Sequence, residues 1–161
     1  MRIFVDTEFM EDGQTIELLS LGAYREDGVS FYVESADADF GHANPWVAEN
    51  VIPHLRHPRR VVMSRGDLAA SFREFVGVAP EFWADWGAYD WVAICQLYGT
   101  MMDLPNGWPM FIHDIRQLAE SVGCPQVSDL VPDPEGQHNA AVDAATCFDR
   151  WAFLITEWRG R

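Results

Sequence analysis

The chain has 161 residues, 48% of them hydrophobic, with 7 Trp and 10 Phe, the length of one domain with enough apolar volume for one filled core. Its net charge is -14 and all 11 basic residues are Arg, which argues against a large footprint on duplex DNA. No run of 18 or more apolar residues occurs, so no membrane-spanning helix is expected.

The first residues carry no basic region leading into a long apolar stretch, so no signal peptide and a cytoplasmic location are expected. Ile3 to Phe9, IFVDTEF, reads as a strand that ends by presenting two acids. EDGQ is a turn and IELLSLGAY a second strand; Asp27-Gly28 signals a hairpin, and VSFYVES is a third strand. This pattern predicts an antiparallel meander. From Phe40 to Arg65 the chain mixes Pro, His and Arg and reads as loop, with a short helix at Pro45 to Asn50. Four Arg (Arg56, Arg59, Arg60 and Arg65) form the one basic cluster. It is either a solvated loop or a contact for a phosphate backbone, since guanidinium forks suit phosphate oxygens.

After the cluster the elements alternate. DLAASFREFVG has helical spacing and ends at Gly77, EFWADW reads as a buried strand, and YDWVAICQLYG is a helix stopping at Gly99. PMFIHD reads as a fifth strand, with Asp114 placed to cap the helix IRQLAESVG. A loop with three prolines leads to a last helix from about Asn139 to Trp158. Cys95, Cys124 and Cys147 show no Cys-x-x-Cys spacing and read as buried free thiols. Residues 1–161 form a single α/β domain in this reading, with a mixed five-stranded sheet, the meander plus parallel strands, flanked by helices.

Acids recur where apolar packing is expected. Asp6 and Glu8 lie at i and i+2 of a strand and share one face. Asp143 falls on the apolar stripe of the last helix, among Ala140, Ala144 and Cys147, and a buried acid needs a partner. His138 precedes Asp143 by five residues, a rotation of roughly 140° on a helix, so His138 belongs in the entry loop or at the cap. Asp90 sits near the start of a helix whose stripe is Ile94 and Leu97, and Asp85, at the end of the preceding strand, is its rival for the same role. Each signal alone is common. Together they imply four carboxylates in one site, which repel one another unless divalent cations lie between them. Two such ions can clamp an in-line phosphoryl displacement, with a histidine taking the proton of the attacking water.

This pattern resembles the DEDDh 3′→5′ exonucleases, which share a ribonuclease H-like fold. The matching residues are Asp6-Thr7-Glu8, then Asp85 to Asp90 (DWGAYD), then His138 to Asp143 (HNAAVD), in the family's order. DTEFMEDG and WGAYDWVAICQLYG further resemble the bacterial polyadenylate-specific 3′-exoribonucleases, relatives of ribonuclease T. The likeness covers essentially the whole chain. It implies two Mg²⁺ or Mn²⁺ ions held by Asp6, Glu8, Asp90 and Asp143, with Glu8 bridging them and His138 as general base. It further implies a single-stranded RNA 3′ end as substrate, with a preference for adenylates, and nucleoside 5′-monophosphates as products. A homodimer is implied too, with the Arg56 to Arg65 cluster guiding RNA into the partner's site. Asp85 departs from the family, where Asn is common, and is assigned a place behind the metal ligands. Phe9 stands beside Glu8, where an aromatic ring can stack on the terminal base, and Met10 is a second candidate of that kind. Two alternatives stay open: a DNA 3′→5′ exonuclease of the same fold, and a silent nuclease fold used as an interaction module.

Overall fold

The structure, a computed structural model, describes residues 1–55, 60–134 and 138–158. β1 (Arg2–Glu11), β2 (Ile16–Arg25) and β3 (Ser30–Ser35) form the expected antiparallel meander. Its first turn is closed by Asp12, whose Oδ1 accepts from Gln14 N at 2.9 Å and Thr15 N at 2.7 Å, an Asx turn. Its second turn uses Gly28 at φ 90°, a backbone region open to glycine. β5 (Glu81–Ala84) adds parallel to β1, and β6 (His113–Asp114) parallel to β5.

The sheet has six strands, in the order β4-β3-β2-β1-β5-β6, where the sequence suggested five. The additional strand, β4 (Val62–Met63), pairs with β3 through Glu34 and Ser35 alone. Two residues are too few to show an alternating pattern. PMFIHD likewise contracts to His113 and Asp114. The fold is a mixed sheet flanked by helices, compatible with the ribonuclease H-like class.

Six α-helices complete the described chain: α1 (Pro45–Asn50), α2 (Arg65–Val76), α3 (Ala88–Tyr98), α4 (Ile115–Ser121), α5 (Val127–Leu130) and α6 (Ala140–Phe153). α6 continues as a π-helical turn, Leu154–Trp158. Side-chain caps fix several starts. Asn44 accepts from Val47 N, Ser64 from Asp67 N, Asp114 from Arg116 N and Asn139 from Ala141 N, satisfying backbone donors that a helix leaves unpaired.

Strand alternation sorts β1 between two cores. Ile3 and Val5 pack with Leu68 and Phe72 of α2 and with Trp91 and Ile94 of α3. Phe4 points the other way, to Ile115 of α4 and Cys147 and Leu154 of the C-terminal helix. Asp6 and Glu8 continue the Phe4 face, so they emerge beside α6, and Thr7 continues the α3 face. A smaller cluster holds Met10, Leu19, Val47, Val51 and Leu55 under α1. Cys95, Cys124 and Cys147 are buried. Among the described residues no helix is long and apolar enough to cross a membrane.

Candidate active site

Two elements deliver three carboxylates to one cavity of about 300 Å³. Asp6 and Glu8 come from the middle of β1, and Asp143 from the first turn of α6. Each offers an oxygen, and these oxygens lie within 4.8 Å of one another. α6 reaches this close because β2 carries Gly22 where the helix starts. A Cβ there would fall 2.0 Å from Ala140 C and O, so no other residue fits without moving the helix.

His138 lines the same cavity. It lies two residues before the helix, with Asn139 as the cap. Its backbone N donates to Asp143 Oδ2 at 2.9 Å, and the edge of the ring meets Trp46, centroids 5.0 Å apart. His138 adopts φ 65° and Trp86 φ 62°, a left-handed region that L-residues seldom occupy. Both strained residues line this cavity, and such strain gathers at functional sites.

The electrostatics are those of acids crowded together away from water. Burial raises Asp6 well above the carboxylate range, and the charges of Asp90, Glu8, Asp143 and Asp85 raise it further. Glu8, 8% exposed, is pushed to about 8, first by burial and then by Asp143 and Asp90. Asp143 is raised by burial, an effect offset by the His138 and Asn139 backbone donors. These directions describe carboxyl groups whose proton affinity is raised by burial and by one another's charge.

Asp90 stands on the other face of β1. It is buried, and its Oδ1 accepts from Thr7 N at 2.8 Å and Thr7 Oγ1 at 2.7 Å. Burial raises it to about 6 despite these two donors. Asp85 lies inside the cavity with both oxygens engaged by arginines. Arg116 Nε pairs with its Oδ1, and Arg116 Nη2 lies 2.8 Å and Arg150 Nη1 2.6 Å from its Oδ2. The sequence reading missed these two arginines. Arg150 was findable, because it lies seven residues after Asp143 on the same helical stripe; Arg116 has no comparable signal.

Phe9 is half-buried and stacks flat on Tyr89, centroids 5.6 Å apart. Met10, expected beside the substrate, is instead 5% exposed and packed with Leu19, Val47, Val51 and Leu55. A bulge between Glu8 and Phe9 shifts the register there, and the Met10 side chain is enclosed under α1. Of the basic cluster, Arg56 and Arg59 lie outside the described residues. Arg60 pairs with Glu34 at 3.6 Å, and Arg65 donates its backbone N–H to Asp37 Oδ2 at 2.8 Å.

The comparisons with known proteins agree with this geometry. A family model described as the 3′-5′ exoribonuclease Rv2179c-like domain matches residues 1–155. Two curated relatives, the 3′-5′ exoribonucleases MT2234.1 and Rv2179c from two strains of Mycobacterium tuberculosis, are each 44% identical over 161 residues, covering 97% of this chain and 94% of their own. Spread over nearly its whole length, this similarity shows that the chain belongs to the Rv2179c-like family of 3′-5′ exoribonuclease domains.

Proposed function

We propose that the protein is a metal-dependent 3′→5′ exoribonuclease that hydrolyses the 3′ ends of single-stranded RNA to nucleoside 5′-monophosphates. One observation carries the reading: Asp6, Glu8 and Asp143 bring oxygens within 4.8 Å of one another beside His138. Three acids so placed, with raised proton affinity, match hard divalent cations such as Mg²⁺ or Mn²⁺. Asp6, Glu8 and Asp143 would hold two such ions. Asp90 would contribute through Oδ2, since its Oδ1 is committed to Thr7. When bound, the ions supply Lewis-acid stabilisation of the phosphoryl group and of the leaving oxygen.

The remaining steps belong to the protein's side chains. His138 takes the proton of the attacking water, and its place is fixed by the bond from its own N–H to Asp143. Phe9, backed by Tyr89, presents a ring on which the terminal base can stack. The preference for adenylates and the homodimer rest on resemblance to the polyadenylate-specific enzymes.

RNA oligonucleotides labelled at the 3′ or the 5′ end, incubated with Mg²⁺, Mn²⁺ or EDTA, test the reading. The expected result is stepwise loss of the 3′ label that stops with EDTA; no turnover with either metal would contradict it. Parallel oligo(A), oligo(C), oligo(U) and DNA substrates test base and sugar preference. His138→Ala is expected to lower turnover about 10²- to 10⁴-fold with metal binding retained, and full activity would remove His138 from the mechanism.

A further inference from the structure

A cavity that takes RNA must admit phosphates past five acids. Asp6, Glu8, Asp85, Asp133 and Asp143 all line it, and among the described residues its only arginines are Arg116 and Arg150. The two differ in access. The Arg150 side chain is 5% exposed, and the Arg116 side chain 24% exposed. Arg150 is committed to Asp85, to Val131 O at 3.0 Å and to Asp133 at 2.8 Å. It ties the end of β5 and the segment after α5 to the C-terminal helix.

Arg116 is held in one orientation from three sides. Asp85 grips it along the Nε and Nη2 edge, Ser128 Oγ accepts from Nη1, and the guanidinium lies 5.4 Å above the ring of Trp86. Trp86 is 71% exposed and takes its strained φ of 62° between Asp85 and Gly87. Asp114 fixes that turn by accepting from Gly87 N at 2.9 Å. A guanidinium carries five N–H donors. The bonds to Asp85 and Ser128 use three, leaving one on Nη1 and one on Nη2 among the described residues. Charged donors of this kind match a phosphate oxygen.

We propose that Arg116 binds a non-bridging phosphate oxygen of the RNA strand, with Asp85, Arg150 and Trp86 as the positioning residues that keep its fork aimed into the cavity. Asp85 thus serves the substrate through Arg116. The proposal rests on the nuclease reading of the site and adds to it the group that meets the phosphate.

The test is steady-state kinetics on single-stranded RNA over a series of KCl concentrations, for wild type, Arg116→Met, Arg116→Lys and the exposed control Arg73→Met on α2. Arg116→Met is expected to raise KM about tenfold. Its plot of log(kcat/KM) against log salt should be shallower by about 0.7, the loss of one single-strand phosphate contact. Arg116→Lys keeps the charge without the fork and should fall between Arg116→Met and wild type, while Arg73→Met should match wild type. A purely structural role would lower the melting temperature and leave the salt slope in place, which overturns the proposal. If Arg116→Met does not fold, Arg116→Lys decides: a raised KM supports the fork, and wild-type KM overturns it. A wild type without turnover overturns the nuclease reading and this proposal with it. Wild-type turnover with unchanged Arg116→Met kinetics overturns this proposal alone.

Discussion

A carboxyl group pushed to about 8, as that of Glu8 is, makes stability depend on pH in an unusual direction. Its ordinary value is 4.5, so between about pH 4.5 and 8 the folded chain binds more protons than the unfolded one. Stability from this group is therefore complete below pH 4.5 and is lost as pH rises through 8. Asp6 and Asp143 shift the same way. Asp12, Glu26, Asp27 and Asp103 are held low by hydrogen bonds and act at more acid pH. The metal-free protein is accordingly predicted to melt at a lower temperature at pH 8 than at pH 5.5, and Mg²⁺ or Mn²⁺ should close the gap. Calorimetry in EDTA that shows stability rising across this window would contradict the crowded-acid picture. At this scale the sequence was informative for residues bound by local geometry. Asp6 and Glu8 follow from strand alternation, and the exclusion of His138 from the helix follows from its spacing to Asp143. Met10 misled, because its place two residues after Glu8 says nothing of α1, whose Val47 packs over it with Val51 and Leu55. Arg116 and Trp86 meet only after β5, β6 and α4 have assembled, so no short-range pattern announces them.

Among the elements, the approach of α6 to β2 positions the site most directly. Ala140 rests on Gly22 with no room for a Cβ, and α6 carries Asp143 one turn further on. Gly22→Ala must therefore displace the helix or the strand. Such overpacking costs typically about 1–3 kcal/mol, and the predicted result is a lower melting temperature with a loss of exonuclease activity larger than the stability change explains. Activity equal to wild type at a temperature where the variant is fully folded would show that the helix start need not be held so closely. The meander and the longer helices were legible because each is long enough to show its period, helped by Asp27-Gly28 and by the cap Asp114. β4 was not, since its whole ladder is Val62 and Met63 beside Glu34 and Ser35. Nor did the spacing of Asp90 reveal that Thr7 takes its Oδ1.

For the molecule as a whole, a net charge of -14 sets the terms on which it meets RNA. Diffuse attraction is absent, so affinity depends on a few local cations. Charge reversal at Arg59 and Arg60 together is predicted to weaken RNA binding several-fold and to flatten its salt dependence, read by fluorescence anisotropy. Unchanged binding would assign the basic cluster to solvent. Light scattering gives the mass in solution, and the account expects two chains. The proposed activity depends on Asp6, Glu8 and Asp143 forming a site for divalent cations. Calorimetric titration of Mn²⁺ into the metal-free wild type and Asp143→Asn tests it most directly. The account predicts two ions per wild-type chain, with protons released on binding, and the loss of at least one ion in Asp143→Asn; no binding by wild type, or an unchanged isotherm for the variant, would contradict it.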